Sequence, residues 1–134
     1  MYAVKPSQPP CPGALQAKRR TLMSGQRLDA MIEIVAKAIC DPAQELDMLP
    51  VRLAAHWPEA PALELTVALA SAADAVESVF GDEGESGRRA QRVWRHAAMV
   101  GAELHYLTLS GATANTAGDL LALWQSENGA KGAT

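Results

Sequence analysis

Residues 61–80 read PALELTVALASAADAVESVF, and the fold follows from how that stretch is read. Leu65, Leu69, Ala72, Ala73, Val76 and Phe80 recur at helical spacing, while Leu63, Val67 and Ala70 fill a neighbouring face. An apolar surface that wraps most of the way round predicts a helix covered on several sides. Pro61 suits a first helical turn, where its missing N–H has no partner anyway, and Gly81 suits a left-handed stop. Twenty residues make about 30 Å of helix, enough to cross a small domain. Glu64, Asp74 and Glu77, with Thr66, Ser71 and Ser78, load the stretch too heavily for hydrocarbon, so no membrane partner is expected. The stretch reads as the central helix of a bundle.

Towards the N-terminus, Pro58–Pro61 forms a corner into that helix. The preceding segment, 42–57, is interrupted by Pro50, which removes a helical bond and pushes Leu49 out of the α region. It is expected to form two short helices or one kinked helix, with Leu46, Leu49, Leu53 and Trp57 inward. Before it, Ser24 is placed to cap a helix whose inner face is Leu28, Met31, Ile32, Val35 and Ile39. Arg27, Asp29, Glu33 and Lys37 lie on its outer side, with Glu33 and Lys37 in the favoured i,i+4 orientation. Asp41-Pro42 reads as a stop followed by a new cap and first turn. Residues 1–23, rich in proline and carrying Lys18, Arg19 and Arg20, read as a flexible, disordered tail.

Towards the C-terminus, residues 82–87 are an acidic, glycine-rich loop. Ser86 is placed to cap a helix running to about Leu109, with Ala90, Val93, Trp94, Ala97, Val100, Gly101, Leu104 and Thr108 inward. Ala97 and Gly101 are small and four apart, which lets a neighbouring backbone approach. Thr116 and Asp119 have the spacing of a capping box, with Asp in place of Glu. A last helix over 117–126 carries Leu120, Leu121, Leu123 and Trp124, and Asn128-Gly129 stops it, leaving 128–134 as a short flexible tail. The fold expected is therefore an all-α small helical bundle of four main helices plus one or two short helices, a single domain over 24–127. Hydrophobic content of 49% with only 4% aromatic residues agrees, since an Ala/Leu/Val/Met core favours helices over sheets.

The same residues restrict the chemistry. A net charge of −3 gives no global attraction to nucleic acid or anionic membrane. Cys11 and Cys40 are too few and too far apart for a disulfide framework or a metal knuckle; Cys40 reads as a small buried hydrophobe in a reducing, cytoplasmic setting. No secretory signal precedes Lys18. His96 and His105 are nine residues apart on one helix and point about 180° apart, so they cannot share a metal. No G-x-S-x-G turn and no glycine-rich phosphate loop occurs. Asp74 and Glu77 are expected to meet arginines of the fourth helix. No catalytic residue, metal or cofactor is assigned, and the chain reads as non-enzymatic.

Three features remain. Arg88, Arg92 and Arg95 line the outer side of the fourth helix with Arg89 beside them, a basic patch suited to phosphate or carboxylate. A helix-turn-helix outline at Leu53–Trp57 fails, because the would-be recognition helix from Pro61 is apolar. His96, flanked by Arg92 and Arg95, has a setting that resembles the phosphorylatable histidine of phosphorelay transfer domains, which would imply a phosphotransfer carrier. Ala97-Ala-Met-Val100 follows it, where those domains usually carry a lysine and a glycine. Finally Met99, Ala102 and Tyr106 form an apolar strip beside the arginines. The candidate interaction face is thus Arg88, Arg89, Arg92, Arg95, Met99 and Tyr106. The function expected is a small adaptor or regulatory protein acting through helix-face protein contacts, as a homodimer. The alternatives are a nucleic-acid-associated regulator using Arg88–Arg95, or the carrier at His96.

Overall fold

The computed structural model describes the backbone of residues 12–132 and the side chains of residues 25–128. Five helices follow one another: α1 (Pro12–Cys40), α2 (Leu49–His56), α3 (Ala62–Phe80), α4 (Glu85–Leu109) and α5 (Ala117–Gly132). No strand occurs among the described residues, so the chain is an all-α bundle of four main helices and one short one, α2. The helix α1 begins at Pro12, earlier than the cap expected at Ser24; Cys11 and the rest of 1–11 lie outside the described residues.

The central position of α3 follows from its packing. It lies between α1 and α4 and makes its broadest contact with α4. Leu65, Leu69, Ala72 and Ala73 are fully buried there against Met31, Val35 and Ile39 of α1 and Val93 and Ala97 of α4. Each leucine removed from water contributes about 2 kcal/mol. The short α2 packs against α5. Leu49 and Leu53 of α2 and Leu120 of α5 complete the core.

Three turns define how the helices meet. Gly81 ends α3 at φ 77°, a left-handed backbone that glycine adopts without a Cβ clash, and its N–H donates to the Glu77 carbonyl at 2.7 Å. The first turn of α4 then folds tightly against that end. A Cβ on Gly87 would stand 2.5 Å from the Gly81 carbonyl oxygen, so only glycine allows this approach. At the opposite end the 58–62 corner pairs with the start of α5. Ala62 N–H donates to the Asn115 carbonyl at 3.0 Å, and Ala117 N–H to the Ala60 carbonyl at 2.7 Å.

Several local expectations change. Pro50 does not interrupt a helix; it sits in the first turn of α2, where its missing N–H donor forfeits no intrahelical bond, and residues 41–48 are turns and bends. Asp41 caps no helix. Its Oδ1 accepts the Ala43 N–H at 3.0 Å in a side-chain turn. Pro61 flanks α3 at ψ 135° rather than joining it, and Gly84 rather than Ser86 precedes α4. The last helix continues through Asn128-Gly129 to Gly132. Cys40 is exposed rather than buried, because it follows the buried Ile39 by one residue and turns about 100° away from the core. Trp94 and Thr108 also face solvent rather than the core.

The largest change concerns α3 itself. Leu63 and Val67 are 61% and 42% exposed, and Phe80 is exposed as well. With α1 on one flank and α4 on the other, no third helix among the described residues lies over the remaining side.

Candidate interaction surface

The antiparallel packing of α3 and α4 sets up one broad face. Their register is fixed at both ends and in the middle. Gly87 meets Gly81, the Trp94 Nε1–H donates to Glu77 Oε2 at 2.9 Å, and Gly101 lies beside the Thr66 side chain. On α4, residues 88, 95, 99, 102 and 106 fall within one narrow helical stripe, and all five are exposed. Met99 is 68% and Tyr106 69% exposed. On α3, Leu63, Val67, Ala70 and Asp74 form the matching stripe at steps of four, three and four residues. Between the stripes, Ala98 and Gly101 leave the seam shallow. Leu63 also lines an open cleft of about 630 Å³ with Gly101, Leu104, His105 and Thr108, closed at its end by the 111–115 loop.

The six residues expected to form the contact face divide into two sets. Arg88, Arg95, Met99 and Tyr106 are together on the exposed stripe. Arg89 is turned inward. Its guanidinium donates to the carbonyls of Ala38, Ile39, Asp41 and Gln44 at 2.7–2.8 Å. These include orphan carbonyls at the C-terminal end of α1, where the helix dipole also favours a cation. Arg92 leans the other way and bonds Asp47 Oδ1 at 2.9 Å. That hydrogen bond, then the Arg92 charge and the contact with His96, hold the Asp47 carboxyl below the usual range.

His96 lies on this second side, with only 21% of its side chain exposed and Nε2 3.3 Å from the same Asp47 oxygen. Asp74 and Glu77 meet no arginine; Glu77 receives Trp94 instead, and neither carboxylate forms an ion pair among the described residues. Arg27, expected to be solvated, instead joins α1 to α3 through a two-pronged, largely buried pair with Glu64, at 2.6 and 3.2 Å. The hydrogen bond to Glu64 raises the guanidinium's already high affinity for its proton.

Sequence reasoning missed the α3 half of this face. From spacing alone Leu63, Val67 and Ala70 read as a second covered face and Asp74 as a partner for arginines of α4, so nothing local marks the four as one exposed stripe. Among the described residues, no three His, Cys, Asp or Glu side chains are grouped to hold a metal, and no helix is long and apolar enough to cross a membrane. No family model, no curated protein and no solved structure matches the chain.

Proposed function

We propose that this protein is a non-enzymatic adaptor or regulatory protein that works by helix-face protein contact, as a homodimer, through the α3–α4 face. The observation that supports it is the concentration of exposed apolar side chains there: Leu63, Val67, Met99 and Tyr106 all face solvent on one side of one helix pair. A monomer scatters such residues singly, whereas their grouping marks a contact surface. With two cysteines and no framework for a disulfide, the setting we propose is reducing and cytoplasmic.

The alternatives draw less support from the same side chains. Arg89 and Arg92 are occupied within the chain, which leaves Arg88 and Arg95 as a thin basis for holding nucleic acid. A phosphoryl group on His96 Nε2 would meet the Asp47 carboxylate.

Light scattering on a sizing column, with the full chain, tests the proposal. The expected mass is twice the 14.2 kDa of the chain, falling to one chain in Tyr106→Asp and Met99→Asp with the thermal melt unchanged. Monomer mass for the unmutated chain up to roughly 100 μM would remove the homodimer.

A further inference from the structure

We infer that the occupant of the α3–α4 face is a second copy docked about a two-fold axis parallel to the helices, so that α4 of each chain lies over α3 of the other. This rests on the homodimer reading above and specifies its geometry.

A two-fold axis running along the shallow seam exchanges left and right but preserves height along the helices. Each α4 residue therefore meets the partner's α3 residue at its own level. Those levels are known from the contacts within one chain, where Thr66 is level with Gly101 and Gly81 with Gly87. Stepping along the exposed stripes gives four facing pairs. Arg95 meets the partner's Asp74, Met99 meets the partner's Ala70, Ala102 meets the partner's Val67, and Tyr106 meets the partner's Leu63 at the mouth of the cleft. Beyond the end of α3, Arg88 meets the partner's Asp82.

Each pair is complementary. The charged pairs are opposite in sign, and the apolar pairs set a larger side chain against a smaller one or fill the cleft mouth. Arg88, Arg95, Asp74 and Asp82 are all exposed, and none has an ion-pair partner among the described residues. The symmetry doubles every pair. Residues on the axis face their own copies, and Ala98 and Gly101 there are small enough for close approach. The antiparallel alternative, with an axis perpendicular to α4 near Met99, would bring Arg95 onto Ala102 and lose both charge pairs. The stripe from residue 88 to residue 106 is about 27 Å long, and two helices are about 20 Å across, a footprint on the scale of a small specific interface.

Charge exchange between the two helices tests this geometry. Arg95→Glu alone places two like-charge contacts in the dimer and is expected to weaken the dimer dissociation constant about tenfold or more, as is Asp74→Arg alone. The double variant Arg95→Glu/Asp74→Arg is expected to return to within about threefold of the unmutated chain. Arg88→Glu with Asp82→Arg repeats the test at the other end of the face and decides the matter if either first variant shifts the thermal melt. A chain that dimerises yet shows no restoration in either double variant overturns this docking geometry and leaves the homodimer standing. A chain that is monomeric throughout overturns both.

Discussion

Arg89 shows how one residue can hold a fold while looking like part of a surface patch. Its neighbours in sequence are arginines, and its position beside Arg88 suggested a shared basic face. The side chain instead gathers four carbonyls from α1 and the following turns, residues 45 to 51 positions away. Lysine cannot reproduce that fan, since it offers a point charge rather than a planar fork. Arg89→Ala is expected to lose about 2 to 3 kcal/mol, with Arg89→Lys recovering less than half, because hydrogen bonds to a charged donor are lost together and the carbonyls are left to compete for water. Urea unfolding followed by circular dichroism measures this, and a midpoint within error of the unmutated chain would rule out the structural role. The residue type was legible in the sequence, but its partners were not, because no local pattern links position 89 to position 38.

Among the elements, some local signals held and others did not: the cap before α5 and the i,i+4 pair of α1 formed, whereas Asp41 and Ser86 cap no helix and Asn128-Gly129 does not stop α5. At the start of α5, Thr116 Oγ1 accepts the Asp119 N–H at 3.1 Å, and Asp119 Oδ2 accepts the N–H groups of Thr116 and Asn115 at 3.1 and 3.2 Å. That is a reciprocal capping box three residues wide. Thr116→Ala and Asp119→Ala are each expected to cost about 1 kcal/mol, and Thr116→Ser almost nothing, because serine keeps the accepting oxygen. Thermal melts measure the cost, and faster amide exchange confined to α5 would locate it. The Glu33–Lys37 pair at 2.8 Å was equally readable from its i,i+4 spacing. Pro50 was harder. Proline breaks a helix or begins one according to where the first turn falls, and that position depends on Leu49 and Leu53 finding the core.

At the scale of the molecule, the turn before α2 is tied to α4 through Asp47, and that tie makes stability depend on pH. Arg92, through its hydrogen bond and then its charge, with His96 adding to both, holds the folded carboxyl below the ordinary value of about 3.9. A carboxyl depressed in the folded state adds stability above its unfolded value, and this contribution is lost as pH falls through the folded one. Asp47→Asn is therefore expected to be less stable than the unmutated chain at neutral pH and to converge with it below about pH 4. Urea midpoints taken from pH 7 down to 3 measure the gap. Two curves that stay parallel would show that the carboxylate contributes nothing specific. Because both partners are about half exposed, added salt should narrow the neutral-pH gap as well.

By itself the sequence determined the all-α class and the central line of each core face, because helical periodicity is written within a few residues of chain. Leu65 and Leu69 were legible as core for that reason, and so was the cap at Thr116. Only the tertiary structure decided which face of α3 stays open, which arginines remain free and where Asp47 is held. Those outcomes depend on which distant helix covers which side. Leu63 and Val67 carry the same apolar signature as their buried neighbours, and they differ only in having no helix over them. A side chain's chemistry is local, whereas its burial is set by elements that the chain brings together from far apart.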